Sequence, residues 1–71
     1  MITYKINITP SNSGDEFGIS AFSDNTLIKS VHAITTIKKD IVKLVEICNE
    51  LEIDICHFDN IIEDYLTDFI I

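Results

Sequence analysis

Apolar residues along this chain change their spacing once, and the change divides the fold. Up to residue 34 they recur at every second position in short runs, and from residue 37 onward at every third or fourth. A period of two marks a half-buried strand, and a period near 3.6 marks an amphipathic helix. Strands come first and helices second, the segregated order of an α+β domain.

Ile2, Tyr4, Ile6 and Ile8 alternate with Thr3, Lys5, Asn7 and Thr9, which predicts a strand over about 2–9. The turn-rich Pro10-Ser-Asn-Ser-Gly-Asp15 stops it. Phe17, Ile19 and Ala21 alternate with Gly18, Ser20 and Phe22 in a second strand, about 16–23, and the six-residue connection favours an antiparallel hairpin. After the turn Ser23-Asp-Asn-Thr26 comes a third strand, about 27–34, whose facing is blurred. One register turns Leu27, Val31 and Ala33 inward with Lys29; the other turns Ile28, His32 and Ile34 inward with Ser30. The first is preferred, with Lys29 snorkelling at an edge.

Thr35 or Thr36 is expected to cap a helix over about 36–52. At 100° per residue, Ile37, Ile41, Leu44, Val45, Cys48 and Leu51 share one stripe, widened by Val42 and Ile47. Ile53-Asp54-Ile55 breaks the helix, with Asp54 placed to cap the next, about 56–69. There Phe58, Ile61, Ile62, Tyr65, Leu66 and Phe69 give the strongest periodic signal in the chain. A three-stranded sheet alone leaves an apolar face wet, and so does a helix hairpin. The expected architecture is therefore a three-stranded antiparallel β-meander with a C-terminal helix hairpin packed on one face, in a single small domain over 1–71.

Charge is divided as sharply as periodicity. From Leu44 onward there are eight carboxylates (Glu46, Glu50, Glu52, Asp54, Asp59, Glu63, Asp64, Asp68) and no lysine or arginine, and these make most of the net −7. A pI near 4.4 argues against nucleic acid and against anionic membrane surfaces, both of which need a basic patch. No apolar run approaches the ~18 residues of a membrane span, and the alternating N-terminus lacks the hydrophobic block of a signal peptide, so a cytoplasmic protein is expected.

Chemistry-bearing residues are few. Cys48 lies on the first helix's apolar stripe and Cys56 near the start of the second; buried thiols are the simpler reading, a reversible redox pair the other. Cys48, Cys56, His57, Asp59 and distant His32 lack the two close ligand pairs of structural zinc. His32 reads as a sheet residue at a face boundary. His57 stands at a helix start, where the dipole disfavours a protonated ring. Ser11-Asn-Ser-Gly-Asp15 lacks the lysine and spacing of a phosphate loop, and the carboxylates lie on a solvated face rather than in a cleft. Neither an enzyme nor a cofactor is expected.

Leu44-Val-Glu-Ile-Cys-Asn49 followed by His57-Phe-Asp-Asn-Ile-Ile-Glu-Asp-Tyr-Leu66 resembles short Firmicutes proteins described as a domain of unknown function. There a Tyr-Gly-Ile-like strand, matched loosely by Phe17-Gly18-Ile19, precedes a Leu-Val-Glu-x-Cys-Asn helix and a Glu-Asp-Phe/Tyr-Leu helix. The likeness spans roughly residues 17 to 66 and rests on short motifs. It implies the same fold and a bacterial cytoplasmic setting, and it assigns no catalytic or binding residue.

The leading expectation is a non-enzymatic protein-interaction or regulatory module, docking a protein partner through Asp59, Glu63, Asp64 and Asp68 on the outer face of the second helix. Solubility alone also explains such a face. The alternative is a structural homodimer, pairing through the sheet edge at the third strand or through the outer sheet face, where Phe22 is left over; the chain is expected to be a monomer or weak homodimer. A DNA mimic is a more remote reading, because four acids on one short helix make a thin imitation of a phosphate backbone.

Overall fold

A computed structural model describes the chain over residues 1–68; Phe69 lies outside the described residues, as does the side chain of Asp68. The elements are β1 (Ile2–Ser11), β2 (Gly14–Ser23), β3 (Thr26–Thr35), α1 (Lys38–Glu50) and α2 (Ile55–Asp68). The strands form one antiparallel sheet in the order β1-β2-β3, and the two helices complete an α+β fold.

β1 and β2 pair over ten consecutive residues, from Ile2↔Ser23 to Ser11↔Gly14, without a shift in register. Only Asn12 and Ser13 lie between the paired ends, so the turn is tighter than the six-residue connection expected. β2 passes to β3 through Asp24 and Asn25, both left-handed at φ 50° and 68°. A two-residue I′ hairpin needs that backbone, and Asp and Asn tolerate it better than other side chains.

β3 resolves its ambiguous sequence by using both registers in turn. Val31 pairs with Ile19 and Lys29 with Ala21, which puts them on the helix face, as the preferred reading has it. Phe17 then pairs with Thr35, so His32, Ala33 and Ile34 stand opposite Gly18 alone. Ala33, left-handed at φ 56°, makes the bend; it ends exposed while Ile34 is buried. A second shift sets Leu27 opposite Phe22, where it is 54% exposed. The preferred facing thus holds for Lys29 and Val31 and fails for Leu27 and Ala33. Lys29 carries its Nζ out to the exposed Asp59 on α2, 2.5 Å from Oδ1.

Neither threonine caps α1. Its N-cap is Ile37, and Thr35 Oγ1 accepts the Ile37 N–H at 3.1 Å just before the helix starts. The C-terminus closes with Ile53 N–H donating to Cys48 O and Glu52 N–H to Asn49 O, with Glu52 left-handed at φ 49°. Those two bonds are a Schellman motif with glutamate where glycine is usual. Asp54 does cap α2, its Oδ1 accepting the His57 N–H at 2.9 Å.

Tyr4, Ile19, Ala21, Ile41, Cys48 and Phe58 are almost completely buried at the centre of the core, with Phe17, Ile34, Leu44 and Ile62 around them. Ile37 and Leu51, at the two ends of the expected α1 stripe, are instead exposed. Tyr4 ties three elements together. Its ring meets Phe58 with centroids 5.0 Å apart, and its hydroxyl donates to Ile53 O. Its backbone N–H and C=O bond the side-chain amide of Asn49 at 2.8 and 3.0 Å. Asn49 therefore occupies, for one residue, the place of a fourth strand beside β1.

Candidate functional site

The acids of the helical layer lie on the solvent side because the opposite faces of α1 and α2 are committed to the core. Glu46, Glu50, Glu52, Asp59, Glu63 and Asp64 are all exposed. Asp59 is the exception to their availability, since both its carboxylate oxygens contact Lys29. Among the described residues this is the one bridge between a lysine and a carboxylate. Glu63 and Asp64 stand beyond it on the open side of α2. Asp68 closes the helix, with its side chain outside the described residues.

At the start of α2, Asp54 accepts the His57 amide and also lies 2.9 Å from His57 Nδ1. The backbone bond, then the ring, hold its carboxyl below the usual aspartate range. The two thiols sit in opposite environments. Cys48 is buried against the core and burial pushes its pKa up, which disfavours the thiolate; Cys56 is exposed, and both are free. Among the described residues no three of His, Cys, Asp and Glu gather where a metal ion would need them. No helix there is long and apolar enough to cross a membrane.

Between the helices a surface pocket of about 250 Å³ is lined by Asp40, Lys43, Leu44, Ile47 and Tyr65. The Tyr65 hydroxyl donates to Asp40 Oδ2 at 2.9 Å and lies 3.1 Å from Thr35 Oγ1. Burial, more than the adjoining carboxylate, raises its pKa. A second pocket, of about 320 Å³, opens beside Met1, Ile2, Glu52, Ile53 and Asp54.

One cluster is not foreseen from the sequence. On the sheet face away from the helices, Asn7 Nδ2 donates to Ser20 Oγ (2.9 Å), Ser30 Oγ (3.3 Å) and Val31 O (3.3 Å). Ser20 and Ser30 hydroxyls are 3.1 Å apart, and His32 Nε2 is 3.1 Å from Ser30 Oγ. Hydroxyl and imidazole have the spacing of a nucleophile and its base. The Asn7 donor, however, already draws on the Ser30 oxygen, so the row is a cross-strand polar ladder rather than an activated serine. Asn7 Oδ1 is buried without a hydrogen-bond partner. Turning the amide over would set that oxygen against the Val31 carbonyl, so the orientation stands.

A scan against family models returns no match to this chain, nor do searches of curated proteins and of solved structures.

Proposed function

We propose that this chain is a non-enzymatic cytoplasmic interaction module whose acidic helical face docks a basic surface on a protein partner. One observation carries the reading. The helical layer exposes Glu46, Glu50, Glu63 and Asp64, while the one lysine bridged among the described residues is spent on Asp59. Lys38, Lys39 and Lys43 are exposed before Leu44, so the field of one sign begins at Glu46; it speeds encounter with a basic partner and fixes its orientation more than it adds affinity. The effective docking residues are Glu63 and Asp64, with Asp59 serving the fold.

Pull-down from cell lysate tests this, comparing the wild-type chain with a Glu63→Lys, Asp64→Lys double variant. A partner recovered by the wild type, released by salt and lost with the variant supports the reading. Equal recovery by both chains overturns it.

A further inference from the structure

We infer that a second copy of this chain docks on the free edge of β1, extending the sheet across a two-fold axis at Ile8. The two edges of the sheet differ. β3 is broken by two register shifts and a left-handed Ala33, features that blunt an edge against pairing. β1 runs through ten pairs without a register shift. Its outward groups follow from Tyr4, whose N–H and C=O point away from β2 to reach Asn49. In an antiparallel ladder these directions alternate, so Ile6 and Ile8 also point their N–H and C=O outward.

That open segment has defined ends. Asn49 occupies the neighbouring-strand position at Tyr4, and Pro10 has no N–H to offer. A second β1 strand must therefore end before it reaches Asn49. With Ile8 on the two-fold axis, Asn12 of the second copy falls opposite Tyr4, and Asn12 is a turn residue outside the ladder. In this register Ile8 exchanges both backbone bonds with Ile8 of the second copy. Each Ile6 N–H meets the Pro10 carbonyl of the other chain. Every free donor of the segment is satisfied, and the Ile6 carbonyl, facing a proline nitrogen without a hydrogen, is the one acceptor the pairing leaves open.

Side chains and charge agree with a like partner. Ile6 and Ile8 are 37% and 56% exposed, and the pairing sets Ile8 against Ile8 of the other copy, with each Ile6 opposite Pro10 and diagonal to that Ile8. Residues 1–14 carry Lys5 and no acid, so the edge is the part of this chain, net −7, where two copies meet with least repulsion. An interface this short falls in the small class, below roughly 1,200 Å², so association is weak and salt strengthens it. The inference does not depend on the acidic face, whose test leaves β1 untouched.

Sedimentation equilibrium of the full chain into the high-micromolar range, with backbone amide exchange followed by NMR, tests it. The expected result is a monomer–dimer equilibrium in which the Ile6 and Ile8 amides exchange more slowly as concentration rises. Ile8→Pro removes an outward N–H without touching the β1–β2 ladder, so a folded, monomeric variant is expected. Ile8→Lys supplies the same comparison if the proline variant does not fold, by placing two cations on the axis. A wild-type chain that stays monomeric overturns the proposal. So does a dimer whose Ile6 and Ile8 amides stay unprotected, or one that survives whichever of these variants folds.

Discussion

A methyl group added to Gly18 would overlap the Val31 carbonyl oxygen and sit 2.5 Å from Asn7 Oδ1 and 2.9 Å from His32 Cα. Two of those three neighbours are backbone, held by the β3 bulge that arches over this residue. A flexible side chain would swing aside, but a bulge fixed by Ala33 and buried Ile34 yields only by breaking its pairing. Gly18→Ala is therefore expected to destabilise by about 3 kcal/mol, the upper end of ordinary overpacking, despite alanine's better strand propensity. The urea midpoint measures it, and an unchanged midpoint would mean that the bulge is soft. Asp54 carries the pH dependence at this scale. Its carboxyl is held low by the His57 amide first and the ring second. A depressed pKa contributes stability that is present above the unfolded value, near ~3.9, and is lost as pH falls through the folded one. Asp54→Asn keeps the cap and drops the charge, so the melting temperature of that variant should fall less steeply in acid than that of the wild type. Parallel acid limbs would show that this pair contributes nothing to the fold.

Elements, more than residues, show what the sequence can and cannot reveal. β1, β2 and the middle of each helix's core face follow from spacing alone, because each has one apolar side and one layer to bury it against; Ile8, Ile37, Leu51 and Leu66, on the same expected faces, are nevertheless exposed. β3 does not, because its two registers are both native and the switch between them is set by Gly18 on another strand. The α1 cap is misplaced for a related reason: the Thr35 hydroxyl is drawn to the Ile37 amide and to Tyr65, thirty positions along the chain. Asn49 reads as a polar position on a helix, and its bond to Tyr4 spans 45 residues, beyond any local pattern. The acidic face is legible because carboxylates opposite an apolar stripe have nowhere else to go. The Lys29–Asp59 bridge is not, since it joins β3 to α2. At the end of α1, Glu52 holds a left-handed backbone that costs a non-glycine residue roughly 1–2 kcal/mol. Glycine's greater unfolded-state entropy returns about 0.5–1 kcal/mol of that. Glu52→Gly is thus expected to stabilise by about 0.5–1 kcal/mol, helped by removing an anion from the negative end of the helix. Glu52→Gln removes the charge alone and separates the two contributions in thermal melts; if it matches the glycine variant, the backbone is not strained.

At the scale of the whole molecule, the fold and its surface pull against each other. Both helices turn their acids outward, and Glu46 and Glu50 repel at i, i+4, which costs roughly 0.2–0.5 kcal/mol, as does each similar pair. Glu50 adds to this by standing in the last turn of α1, where no basic residue offsets the dipole. Against these stands the Lys29–Asp59 bridge, half-exposed and worth about 0.2–1 kcal/mol. Salt screens both kinds of interaction, so its net effect has the sign of the larger one. With twelve acids against five lysines, repulsion is the larger, and the melting temperature should rise between ~20 and ~500 mM NaCl. Glu50→Lys sharpens the test. It turns the pair with Glu46 into an attractive Glu-to-Lys pair in the favoured order and places a cation at the helix C-terminus. That variant should melt higher than the wild type at low salt by about 0.5–1 kcal/mol and lose most of the advantage when screened. An advantage that persists at high salt would trace to helix propensity or packing instead. The crowding of carboxylates would then be energetically idle, leaving encounter with a basic partner as the physical effect of the acidic face.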